Sequence, residues 1–201
     1  MRLPLFPLHT VLFPETTLPL HVFEPRYREM IGRCLEHDES FGIALILDGD
    51  EVGGHAIPRR IGTEAAIIAC QRNAHGEYDI VVEGQRRFAI RSLDQSRAYL
   101  RADADWMDEP LGKDVELLAE AVARLFAGIV EPLEMRGHAI MDDTWREMDP
   151  RTLSFRVAAA LPGAVDVRQE LLETPDTASR LRREAELLMA VHRIGAETGA
   201  A

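Results

Sequence analysis

The side chains that could ligate a metal or attack a bond are scattered along this chain. The seven histidines, His9, His21, His37, His55, His75, His138 and His192, form no His-Glu-x-x-His array, and Cys34 and Cys70 form no Cys-x-x-Cys pair. Zinc sites are most often announced by such short spacings, so no metal is expected. Phosphate cradles need a glycine-rich loop before a helix, closed in the Walker A form by Lys-Ser or Lys-Thr. Gly53-Gly54 and Gly62 do not make the dinucleotide pattern, and the sole lysine, Lys113, is followed by Asp114. A Ser–Lys dyad would have to use that same lysine, in an acidic context. No Gly-x-Ser-x-Gly elbow occurs. Cys70 follows Ile67-Ile68-Ala69 and Cys34 falls on an apolar helix face, so both are expected as buried, unreactive thiols. The acids Asp48, Asp50 and Glu51, and Asp142 with Asp143, fall in loop-like stretches and read as solvated charge. The expectation is a non-catalytic protein that needs no cofactor.

The elements that carry these residues divide into two kinds. Leu3–Phe13 is apolar and broken by Pro4 and Pro7; prolines donate nothing to a ladder, so short, edge or bulged strands are expected there. Leu18, Leu20 and Val22 alternate with Pro19, His21 and Phe23, the period of a half-buried strand. Glu24-Pro25 then turns the chain, because proline suits the first turn of a helix and holds the preceding residue extended. Tyr27, Met30, Ile31, Cys34 and Leu35 repeat at helical spacing to about His37. Further strands are expected at Phe41–Leu47, Ile61–Cys70, around Tyr78–Val82, at Phe88–Ile90 and at Tyr99–Trp106, with Gly84 turning a hairpin across residues 77–93. Strands this short and closely spaced suggest a small barrel or a folded-over sheet. After Pro110 the period is helical: Val115 to Ile129 on one face ending at Pro132, an irregular stretch over 133–148, and a helix opened by Asp149-Pro150. A short helix follows around Val167–Glu173, and Thr174-Pro175-Asp176 opens a last one carrying Leu181, Leu188, Val191 and Ile194. The expected organisation is a barrel over residues 1–110 and a helical subdomain over 111–201 packed on it.

Composition limits the partners. The net charge of −11 opposes non-specific nucleic-acid binding, which depends on phosphate neutralisation. Only Arg59-Arg60, Arg86-Arg87 and the cluster Arg180, Arg182, Arg183 concentrate positive charge. No apolar run reaches the ~18 residues that span a bilayer, and Pro4 and Pro7 interrupt any signal-peptide core. A cytoplasmic protein without a membrane partner is expected, and two cysteines build no disulfide framework. What remains is a binding role: Phe6, Phe13, Pro14 and Phe23 stand near expected strand edges, where an apolar patch beside an unpaired edge can hold an extended peptide.

Several ordered motifs then carry a resemblance. Leu3-Pro-Leu-Phe-Pro-Leu8, Val11-Leu-Phe-Pro14, the signature Leu18, Pro19, Leu20, Phe23, Glu24, Pro25, Arg26 and Tyr27, Phe41-Gly-Ile43, Ile61-Gly-Thr63 and Gly84-Gln-Arg-Arg-Phe88 resemble the N-terminal substrate-recognition domain of ATP-dependent Lon proteases. Leu161-Pro162, Arg168–Glu173 and Arg180-Leu181 are similar to the helical segment that follows in that family. The resemblance implies an α+β, PUA-like β-barrel pseudo-fold with one early helix and a C-terminal helical bundle. With no Walker A lysine and no plausible dyad, it implies a stand-alone Lon N-domain protein that binds unfolded or target polypeptides with exposed apolar segments. The alternatives are an RNA-binding PUA-like module, using Arg59-Arg60 and Arg86-Arg87, and a small enzyme on the same barrel. Oligomeric state is left open.

Overall fold

The computed structural model describes residues 1–53, 56–134 and 143–198. Gly54, His55, Gly137, His138 and Asp142 lie outside the described residues. The chain divides into two compact units, Met1–Asp108 and Glu109–Ala201. No helix among the described residues is long and apolar enough to cross a membrane.

The first unit contains β1 (Arg2–Leu8), β2 (Thr17–Val22), α1 (Pro25–His37), β3 (Phe41–Asp48), β4 (Ile57–Pro58), β5 (Ile61–Arg72), β6 (Tyr78–Asp94) and β7 (Arg101–Trp106). Strands β1, β7, β6, β5 and β3 follow one another as hydrogen-bonded neighbours, and β3 returns to β1 in parallel, Leu5 opposite Gly42 through Leu8 opposite Leu45. The ring is therefore closed, as in a PUA-like β-barrel pseudo-fold. β2 and β4 are appended to β6 and β3. The expectation of edge strands for the proline-rich start fails for β1. It changes partner along its length, pairing β7 at Arg2–Pro4 and β3 at Leu5–Leu8, so neither proline must serve two ladders at once.

Three glycines of the sequence motifs let the ring close. A Cβ on Gly42 would sit 2.7 Å from the Phe88 ring and 2.8 Å from Leu5. One on Gly62 would strike the Ile43 carbonyl and again stand 2.7 Å from Phe88. One on Gly84 would strike the Phe13 carbonyl. Gly84 thus turns no hairpin: β6 runs as one strand from Tyr78 to Asp94, and beside Gly84 it carries one extra residue, Gln85 and Arg86 standing against Glu64 alone between the pairs Ala65–Gly84 and Thr63–Arg87. Its role is close approach. The Gly84 amide donates to Thr16 O at 2.9 Å, the Glu15 amide donates to Gly84 O at 2.7 Å, and Thr63 Oγ1 donates to Leu12 O at 2.6 Å. These bonds pin the loop between β1 and β2 against the barrel and carry Phe13 inside.

Helix α1 begins as its sequence predicts, with Pro25 at the first turn, Glu24 extended, and the Arg28 amide donating to Glu24 O at 2.9 Å. It ends on Asp38 in the left-handed region. Tyr27, Met30, Ile31 and Cys34 are buried, and Tyr27 stacks on Phe6 with ring centroids 4.1 Å apart. Burial pushes the Tyr27 hydroxyl up to about 12 and the Cys34 thiol up to about 11. Leu35, expected on the same face, is largely exposed. At 100° per residue it lies one step around the helix from Cys34.

The second unit holds α2 (Val115–Glu134), a 3₁₀ turn at Asp143–Glu147, α3 (Pro150–Ala160), α4 (Val165–Glu173) and α5 (Thr177–Thr198). α2 continues two residues past Pro132, the expected stop. The other signals act as read: Asp149 accepts from the amides of Arg151 and Thr152, and Asp176 from that of Ser179 at 2.9 Å. Those bonds hold both carboxyls below their ordinary range against the desolvation that opposes them. Between α3 and α5 lies a buried polar chain with no sequence signal. Arg180 Nε donates to Ser154 Oγ at 2.8 Å, and Ser154 Oγ donates to Glu184 Oε1 at 2.7 Å. The Arg180 guanidinium lies over the Phe155 ring and 3.9 Å from Glu109, which balances its charge.

Two predictions follow from this packing. Phe88→Ala lowers the stability of the first unit by about 3–5 kcal/mol, and Gly62→Ala by about 1–3 kcal/mol through overpacking, both read from urea unfolding midpoints. Burial raises Glu184 from 4.5 to about 8. Its neutral form is the one the fold favours, so its stabilising contribution is complete below pH 4.5 and is lost as pH climbs through about 8. Denaturation of the second unit should therefore become easier across that interval, and Glu184→Gln should flatten the dependence.

Candidate functional site

Beyond the closed ring, β5 and β6 run on together, and β2 joins them to make a three-stranded antiparallel apron. β5 pairs β3 only at Thr63–Ala65, so Ile67–Arg72 has β6 alone as neighbour. β2 lies on the opposite side of β6, Leu18 opposite Val82, Leu20 opposite Ile80 and Val22 opposite Tyr78. Alternation sorts the side chains. Leu18, Leu20, Val22, Tyr78, Ile80 and Val82 turn inward and join the cluster that contains Tyr27, Met30, Ile31 and Cys34. Pro19, His21, Asp79, Val81, Ala69 and Gln71 line the other face, and all except the half-buried Val81 are exposed. They bound an open depression of about 620 Å³.

Proline sets which way the backbone of β2 points. Pro19 has no N–H, so its pairing with Val81 must be of the non-hydrogen-bonded kind, and Leu18, Leu20 and Val22 make the exchanges with β6. The amides of Thr17 and His21, and the carbonyls of Thr17, Pro19 and His21, therefore face away from β6. No described strand pairs with that edge. The edge borders a narrow cleft of about 160 Å³, walled by Phe6 and Leu8 of β1, Tyr27 of α1, and Phe23, Glu51 and Val52. The segment before β4 is tied to this corner. Glu24 Oε2 accepts from Arg26 and from the Gly53 amide at 3.1 Å, Arg26 Nη2 donates to Glu51 O at 3.2 Å, and Glu51 Oε2 accepts from the His9 amide at 2.8 Å.

The four residues expected at an exposed edge part company here. Phe13 and Pro14 are buried behind the Gly84 contact. Phe6 is 6% exposed and reaches the surface only as a wall of the cleft. Phe23 is 45% exposed and stacks on His21 with centroids 5.9 Å apart. Apolar surface missed by sequence reasoning lies nearby: Val52 is 57% and Ile68 54% exposed. Cys70, expected buried, is exposed, because β5 has outrun β3 at that point. Acids surround β2: Asp79 Oδ1 lies 2.8 Å from His21 Nδ1, Glu77 Oε2 3.6 Å from Nε2, and Glu83 pairs Thr17 across the ladder. The basic pairs lie elsewhere. Arg87 is buried, and Arg86 bonds Glu64 at 2.9 Å while its guanidinium lies 3.5 Å over Trp106. No cluster of three or more metal-ligating side chains occurs among the described residues.

The closed PUA-like barrel, the strand bearing Leu-Pro-Leu and the Phe-Glu-Pro-Arg-Tyr corner place the chain among Lon-type N-terminal domains. The model of the ATP-dependent protease La (LON) substrate-binding domain matches residues 2–190, and the chain belongs to that family. Over 190 residues it is 28% identical to Lon protease 2 of Syntrophobacter fumaroxidans, covering 90% of this chain and 23% of the relative. It thus spans about a quarter of the curated relatives it matches. A Lon N-terminal domain protein from Xanthomonas campestris superposes with a TM-score of 0.68 at 28% identity, covering 91% of this chain and 96% of that one. The N-terminal domain of a Mycobacterium avium complex Lon protease shares the fold, with a TM-score of 0.74 at 24% identity over 94% of this chain and 98% of that one.

The corner ties predict a local effect. Glu24→Gln weakens the charge-assisted bond to Gly53 and should speed amide exchange at Gly53 by about tenfold, with the global unfolding midpoint unchanged.

Proposed function

We propose that this chain is a non-catalytic binding module for polypeptide segments, and that the apron of β2, β6 and β5, with the cleft beside β2, is where they bind. The observation that carries the reading is the exposed outer face of a sheet whose inner face packs on the core cluster around α1, in a member of a substrate-binding family. Apolar side chains left in water there, Phe23, Val52 and Ile68, lose their hydration cost when a partner covers them. A segment that has lost its own fold supplies such apolar surface, and a folded protein does not. This is a physical basis for preferring unfolded targets. The acidic surroundings disfavour a nucleic-acid ligand.

The test is titration with a reduced, carboxymethylated model protein and with its native form. The unfolded form should bind and the native form should not. Val81→Asp and Ile68→Asp, which put charge on the apron without touching the core, should each weaken binding by about tenfold. Equal, negligible binding of both forms removes the proposal.

A further inference from the structure

On that reading of the site, we infer that the bound segment adds as a further β-strand to the open edge of β2, with apolar residues alternating with basic ones. The backbone supplies the first part. Pro19 commits Leu18, Leu20 and Val22 to β6, and this leaves the amides and carbonyls of Thr17 and His21 directed away from β6, those of His21 beside the cleft. Unpaired groups of this kind are the template for strand addition. The proline removes one donor from the middle of the edge and leaves one on each side, two residues away. That is the spacing at which alternate residues of an added strand present their own hydrogen-bonding groups.

The two faces supply the alternation. A strand beside β2 shares its pleat, so every second side chain points as Leu18, Leu20 and Val22 do. On that side the cleft is walled by Phe6, Leu8 and Tyr27, and its volume of about 160 Å³ suits one aliphatic side chain. The intervening side chains point as Pro19 and His21 do, toward the face where Asp79 and Glu77 flank His21. Glu83, opposite Thr17, stands on the same outward face, whereas the carboxylates of Glu24 and Glu51 in the cleft are already held by Arg26, the Gly53 amide and the His9 amide. Lysine or arginine at the outward positions meets complementary charge; aspartate or glutamate is repelled.

The experiment uses the full chain and four capped peptides of about eight residues, the length of an ordinary strand. One alternates valine with lysine, one valine with glutamate, and two are the valine–lysine peptide N-methylated at alternate residues, one in each register. The valine–lysine peptide should bind and the valine–glutamate peptide should bind at least about tenfold more weakly. N-methylation in one register should weaken binding by about tenfold or more, and in the other by much less, because only every second amide faces β2. Asp79→Lys should narrow or reverse the preference between the two charged peptides. Binding equally sensitive or insensitive to both methylation registers overturns strand addition while leaving a polypeptide-binding module standing. Failure of every peptide, with the unfolded model protein still bound, overturns the alternating motif, and failure of all probes overturns both readings.

Discussion

The Phe88 ring, seated against Gly42 and Gly62, is the contact on which the barrel depends. Phe88 lies directly across the ladder from Gly62, and Gly42 lies across from Leu5 on the parallel pair that closes the ring. Any side chain at either glycine occupies the volume of the aromatic ring, so the strands could not approach to pairing distance. Small residues continue the same layer, with Ala102 and Ala104 of β7 packed beside Leu5 and Phe88. The closure therefore rests on one large residue surrounded by positions that are forced to be small.

Closure at that level has consequences further along the same strands. β7 is short and covers β6 only from Phe88 to Asp94, which leaves the first part of β6 for β2. β5 and β6 extend past the ring as a pair, with α1 beneath them and nothing described above. The open edge of β2 is protected from indiscriminate pairing by Pro19 and by the charged cluster at His21, the usual devices of edge strands. These limit pairing to partners whose amides and charges match, so the features that guard the edge also make it selective.

The helical unit shows a different division between local and distant causes. Its helix starts are set by single residues, Asp149 and Asp176, whose carboxylates satisfy the first amides. Its interior carries Ser154, Arg180 and Glu184 in one chain, and only the packing of α5 against α3 brings these residues, 26 and 30 positions apart, within hydrogen-bonding distance. In an apolar interior such a chain is tolerated because each charge is answered: Arg180 by Glu109 and an aromatic face, Glu184 by keeping its proton.

Much of the fold was legible in the chain itself. The Glu24-Pro25 corner, the inward positions of β2, the capped helices and the ordered Leu-Pro-Leu, Phe-Gly-Ile and Gly-Gln-Arg-Arg-Phe motifs all depend on residues close in sequence, or on patterns that repeat within one element. The errors share one cause. Gly84 looked like a turn because glycine is equally at home in turns and in close contacts, and only the Phe13 backbone lying on it decides which. Phe6, Phe13 and Pro14 looked like edge residues, and Cys70 like a core residue, because alternation reports which side chains share a face but not whether that face is covered. Sequence by itself determined the elements, their caps and the family. Tertiary structure alone decided which faces are left open, since covering a face is the work of strands and helices remote along the chain.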